Sequence, residues 1–254
     1  MKPGVGMDET RMRRWELDAA RIRETVRLLD LRIGDRFPGS GLSGVCRSLH
    51  EIAEDAERTQ AWIERPMYAL RGAVGLAILL LAAGLVLSMS QIDLRGGAPS
   101  VTDFLQATEA GLNEMVLIGA GIVFLVSMET RAKRRRVTRA VNSLRSLAHI
   151  IDAHQLTKDP DSLASVSQPT SHSPKRGLNA FELGRYLDYC AEMLSLTGKL
   201  GFLYVQRFDD PVANSVANDL EALTDGLSRK IWQKIMILGG AGGSYAGEGM
   251  SPNP

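Results

Sequence analysis

The chain has 254 residues, with 30 lysines and arginines against 29 aspartates and glutamates, for a formal net charge of +1. That balance excludes a general attraction to nucleic acid, so any basic surface has to be local. Two cysteines, Cys46 and Cys190, are too few and too far apart for a disulfide framework or a cysteine-based zinc site, and they read as reduced, packed thiols. The abundance of arginine, alanine and glycine points to a bacterial, GC-rich source.

Residues 1–66 carry two periodic segments. Trp15, Ala19, Ile22, Val26, Leu29 and Ile33 recur at alternating four- and three-residue spacings, as do Leu42, Val45, Leu49, Ile52, Ala56, Thr59 and Ile63. Such seams are those of a coiled coil, and packing of each seam inside a larger bundle fits the same pattern. Phe37-Pro38-Gly39-Ser40-Gly41 interrupts the helix between them, which predicts an N-terminal cytoplasmic helical hairpin.

Residues 67–130 read as a membrane hairpin. Gly72 to Ile92 is apolar and uncharged, and about 20 helical residues at about 1.5 Å each cross a hydrocarbon core of about 30 Å. The run begins too far into the chain for a cleaved signal peptide. Met115 to Met128 is also uncharged but short; including Gly111-Leu112-Asn113-Glu114 makes it long enough and puts Glu114 near the far interface. Residues 93–110 form the loop between the two spans, 72–92 and 111–128. Arg65 and Arg71 precede the first span, and Arg131, Lys133, Arg134, Arg135, Arg136 and Arg139 follow the second. The loop sets Arg95 alone against Asp93, Asp103 and Glu109. The positive-inside rule then places both termini in the cytoplasm of a bacterial inner membrane. Gly72, Gly75, Ala83, Gly84, Ser88, Gly119 and Gly121 offer small surfaces for helix contact.

Beyond the membrane, Val137, Val141, Leu144, Ala148 and Ile151 keep the periodicity, so residues 131–157 are expected to continue the second span as a cytoplasmic helix. Residues 158–178 are rich in serine and proline and read as a linker. A helical pair follows over 179–238. Leu183, Tyr186, Cys190, Met193, Thr197, Leu200 and Tyr204 line the first helix; Val216, Leu220, Leu223, Leu227 and Ile231 line the second. Between them, Asp209-Asp210-Pro211 stops one helix and starts the next, with Asp210 as N-cap. The glycine-rich tail, 239–254, has no core-forming pattern and is expected to be disordered. No alternating strand pattern of useful length occurs. The expected fold is all-α: an integral membrane hairpin of two transmembrane helices, with coiled-coil-like cytoplasmic helices on both sides.

Few residues suggest chemistry. His149, Asp152 and His154, with Asp159 and Asp161 beyond the helix end, are weak metal candidates, because His154 lies well round the helix from His149. Polar packing and helix-dipole compensation explain them equally. Ser195-Leu196-Thr197-Gly198-Lys199 resembles a phosphate-loop fragment but lacks the leading glycine and the hydroxyl residue after lysine. The run Arg131, Lys133, Arg134, Arg135 and Arg136 fixes topology and would also attract anionic headgroups. Arg229, Lys230 and Lys234 around Trp232 either compensate a helix dipole or dock that helix end on a membrane surface.

Asn113 and Glu114 stand out, since an ionisable residue at membrane depth is a functional candidate. One carboxylate per subunit would give an oligomer a cation-selective ring, against the plainer reading of interfacial snorkelling.

Three stretches, LAHIIDAHQLTKDP (147–160), ELGRYLDYCAEMLSLTGKL (182–200) and LTDGLSRKIWQKIMIL (223–238), together resemble a group of uncharacterised bacterial membrane proteins. In that group a two-helix anchor precedes this cytoplasmic region; the resemblance implies a defined cytoplasmic domain and carries no activity or site residue. The layout of coiled coil, helix, short loop, helix and coiled coil is similar to the mitochondrial calcium uniporter family, whose Trp-Asp-x-x-Glu-Pro signature is absent around Glu114. Gly111-Leu112-Asn113 resembles the Gly-Met-Asn of bacterial magnesium channels, but there the motif ends the first helix. The expectation is a non-enzymatic inner-membrane scaffold without cofactor. It would associate with itself or a helical partner through the heptad seams, contact the lipid bilayer and anionic lipid, and bind no nucleic acid. The alternatives are a cation channel or transport component around Asn113 and Glu114, and an enzyme assembled from residues 149–161.

Overall fold

The computed structural model describes residues 15–90, 101–158, 160, 171 and 177–247. Among them are six helices and no strand: α1 (Ala19–Arg36), α2 (Gly41–Glu64), α3 (Tyr68–Ser90), α4 (Val101–Leu156), α5 (Ala180–Leu203) and α6 (Pro211–Gly247). The chain divides into two units, one of Met1–Glu64 with Arg136–Pro254, the other Arg65–Arg135.

In the first unit, five helical segments alternate in direction. Gln206, just after α5, bonds both backbone groups of Leu17, just before α1, at 3.0 Å each. At the other end of the same pair, Phe37 meets the edges of the Tyr186 and Tyr189 rings at 5.6 and 6.2 Å. Arg136 of α4 stacks on Trp62 near the end of α2, 4.8 Å from the ring centre, whereas His154 lies against Gly41 at the start of α2. Arg145 pairs with Asp219 at 3.6 Å, and Lys234 reaches Gln155. Hence α1, the last part of α4, and α6 run one way, and α2 and α5 the other.

The periodic positions fill one shared core. Val26, Leu29, Ile33, Leu42, Leu49, Val141, Leu144, Ile151, Leu187, Leu200 and Leu220 are all fully buried in it. The seams therefore pack within the chain. Trp15 departs from the expected pattern and is 84% exposed. The reason is local: Asp18 caps α1 by accepting the Ala20 N–H at 2.9 Å, so Trp15 precedes the helix.

Caps set the other boundaries. Gly39, at φ 67°, makes the turn into α2, which an L side chain would resist, and Ser40 accepts the Ser43 N–H at 3.2 Å. Asn179 and Glu182 form a reciprocal capping box at the start of α5. Asp210 accepts the Ala213 N–H at 2.9 Å, with Pro211 as the first residue of α6. Packing of α5 on α6 is close because Gly198 and Gly201 face it. A Cβ on Gly198 would sit 3.0 Å from Thr224 Oγ1, and one on Gly201 only 2.6 Å from Leu220 Cδ2.

Two boundaries differ from expectation. Helix α4 begins at Val101, inside the stretch read as loop, and α6 runs through Gly247, past Leu238 where the apolar pattern stops. Periodicity marks where a helix buries a face and not where its hydrogen bonding ends. Residues 91–100, most of the 158–178 linker and residues 248–254 lie outside the described residues.

In the second unit, α3 and the first part of α4 are each long and apolar enough to cross a membrane. Their side chains face outward: Leu79, Leu117 and Val123 are 63, 65 and 66% exposed. Less exposed positions form one stripe on each helix, Val74, Ala77 and Leu81 on α3 and Ile118, Ile122 and Leu125 on α4.

Candidate functional site

The polar groups attached to the two apolar helices make the site of interest. At the end of the unit where the chain enters, Glu129 of α4 receives three donors. Lys133 Nζ lies 3.0 Å from its carboxylate, the Met67 N–H donates at 3.4 Å, and Arg71 Nε approaches to 3.6 Å. The Glu129 and Lys133 side chains are only 15% and 12% exposed. Met67 precedes α3, so Glu129 supplies a carboxylate to the first turn of that helix, where N–H groups lack partners.

Further along α4, Glu114 is half-buried and Asn113 exposed. A Cβ placed on Gly84 of α3 would lie 3.5 Å from the Glu114 carboxylate. Glu114 thus sits opposite the interior of α3. Gly72, Gly75, Gly119 and Gly121 have no atom within 4 Å of an added Cβ, so among the described glycines of the two runs Gly84 alone faces the other helix closely.

No protein-family model, curated protein or solved structure matches this chain.

The sequence-derived metal candidates fall apart in space. His149 is exposed, Asp152 accepts from Gln155 Nε2 at 2.7 Å, and the His154 ring rests on Gly41, with Cε1 2.5 Å from where a Cβ would be. Asp159 and Asp161 lie outside the described residues. Among the described residues no group of three histidines, cysteines or carboxylates could hold a metal ion.

The phosphate-loop look of residues 195–199 also has a packing explanation. Gly198 is where α5 approaches Thr224, and Lys199 folds back onto the Ser195 hydroxyl at 2.5 Å. Of the basic run, Arg131 and Arg135 are exposed, Lys133 is held by Glu129, and Arg136 covers Trp62.

Glu129 and Arg207 carried no expectation from sequence, and Lys234, expected to compensate its own helix dipole or dock on a membrane, has a different partner. Glu129 stands four residues before Lys133, a recognisable helical pair, but its bonds to Met67 and Arg71 depend on the helix register. Arg207 ties Glu16 to Glu64, bonding Glu64 at 3.0 Å. Lys234 turns its ammonium onto the end of α4, bonding Gln155 O at 2.9 Å, Gln155 Oε1 at 2.7 Å and Lys158 O at 3.2 Å. It thereby satisfies carbonyls that the helix leaves open. Replacing Lys234 with methionine is expected to cost about 1–3 kcal/mol and to lower the thermal midpoint of the purified protein. An unchanged midpoint would contradict the capping role.

Burial pushes the Cys46 and Cys190 thiols up to about 12. Both therefore remain protonated thiols at pH 8, where a thiolate is needed for reaction. A thiol reagent at that pH should leave both unmodified in the native protein and label both after denaturation.

Proposed function

We propose that the chain is a non-enzymatic, membrane-anchored scaffold of the bacterial inner membrane. In this reading α3 and α4 form a transmembrane hairpin, and the five-segment helical unit presents binding surfaces in the cytoplasm. Several features support the membrane placement. The two apolar helices expose large side chains that water would disfavour, and the Glu129 bonds join the start of α3 to α4. Arg65, Arg71, Arg131, Lys133, Arg134 and Arg135 cluster at one end, which by the positive-inside rule faces the cytoplasm.

What supports a scaffold is the stretch of α6 around Trp232. Trp232, Met236 and Ile237 are 59, 68 and 46% exposed there, beside the exposed Arg229 and Lys230. Exposed aromatic and methionine side chains flanked by arginine are what protein interfaces are enriched in. The test is a photo-crosslinking amino acid at Trp232 in the full-length protein in native membranes. A discrete protein adduct is expected; lipid adducts alone, or none, would contradict the scaffold.

A second reading, an ion-conducting oligomer, draws on the carboxylate of Glu114 in the apolar run beside Gly84. Cation flux into liposomes that is unchanged by Glu114→Gln would remove it.

A further inference from the structure

Two approaches fix the register of α3 against α4. Glu129 meets Met67 and Arg71, and the Glu114 carboxylate lies 3.5 Å from where a Cβ on Gly84 would be. At about 1.5 Å per residue, Glu114 lies roughly 22 Å along α4 from Glu129, and Gly84 roughly 25 Å along from Met67. The two intervals agree. Helix α3 continues past Gly84 to Ser90, roughly 9 Å more. If the Glu129 end marks one face of a hydrocarbon core of about 30 Å, Asn113 and Glu114 lie inside it.

The two side chains point in different directions. Ile118, Ile122 and Leu125 share one half-buried stripe of α4 with Glu114, which lies opposite Gly84 of α3. Successive helical residues are about 100° apart, which puts Asn113 on the outward face with Leu117, Ala120 and Phe124, all exposed. Its carboxamide has no hydrogen bond from or to any other described residue. An amide carries two donors and an acceptor, and hydrocarbon offers no water to satisfy them. The amide is also self-complementary, so the same residue of another copy, related by a two-fold axis, can satisfy donor and acceptor at once.

We infer that the outward face of α4 is a contact between two copies of this chain within the bilayer, joined by an Asn113–Asn113 hydrogen-bonded pair. The inference rests on the membrane reading above. It places self-association in the membrane, since the cytoplasmic seams are already filled by the chain's own helices.

The test uses the full-length protein in liposomes of phosphatidylethanolamine and phosphatidylglycerol, with Leu117→Cys as reporter one turn from Asn113. Oxidation should yield a disulfide-linked dimer from this reporter and little from Ile118→Cys on the inner stripe. Adding Asn113→Leu should lower the dimer about fivefold, and Asn113→Gln, which keeps the amide, should restore it. A reporter shielded from a membrane-impermeant maleimide but giving the same dimer yield with Asn113→Leu, or no dimer at all, would overturn the contact while leaving the membrane hairpin standing. A reporter that reacts with the impermeant maleimide would overturn both.

Discussion

Replacing Glu129 with alanine is expected to be among the most damaging single changes to the two apolar helices. The carboxylate is the shared acceptor for Lys133, Arg71 and the Met67 N–H, the last two from the start of α3. Its loss would leave the Lys133 ammonium, 12% exposed, without its opposite charge, and an N–H at the head of α3 without an acceptor. Removing one member of a buried pair costs about 3–5 kcal/mol; the remaining exposure of this pair, and of Arg71, brings the expected loss to about 2–3 kcal/mol. Thermal unfolding of the full-length protein in detergent micelles would measure it. The double replacement Glu129→Met with Lys133→Met should recover much of the loss, because no charge is then left unpaired. A Glu129→Ala protein as stable as the parent would show that the three contacts contribute nothing.

The second large effect belongs to the α5–α6 contact. Leu220 is fully buried, and its Cδ2 occupies the space left by the missing side chain of Gly201. Leu220→Ala should cost about 2–5 kcal/mol, the range for a buried leucine truncated to alanine. Gly201→Leu should cost about 1–3 kcal/mol, because the new side chain must displace Leu220. Made together, the two should cost less than their sum, since the added volume enters the cavity that the other creates. Chemical denaturation of the four proteins closes the cycle. Strict additivity would mean that the two residues do not share this space.

These two sites also show what a sequence can and cannot display. The seams over 19–63, 137–151 and 183–204 were legible, because burial of one helical face imposes a period that any reader can count. Which partner each face takes was not. A coiled coil and a bundle give the same spacing, and the choice lies in contacts such as Arg136 on Trp62 or Tyr186 against Phe37, far apart in the chain. Trp15 fitted the period and still fell outside the helix, because Asp18 offered a better start. At the candidate site, Asn113 and Glu114 were visible as polar residues near an apolar run. Their level along α3 and their different orientations emerged only with the register, which Glu129 and the approach of Glu114 to Gly84 set. Arg207 had no sequence signal, and the helix-dipole role open to Lys234 named no partner, since each acts on backbone or carboxylates from distant segments.

We propose that α3 and α4 cross a bilayer as a hairpin with both flanks on one side. Single cysteines at Thr102, at the start of α4, and Ser146, exposed on its later part, test it most directly. The buried Cys46 and Cys190 contribute little background. In spheroplasts, which expose the outer face of the inner membrane, an impermeant maleimide should label the Thr102→Cys protein at once, and the Ser146→Cys protein only after the membrane is permeabilised. Equal labelling of both before permeabilisation, or release of the protein from membranes by alkaline carbonate, would contradict the hairpin.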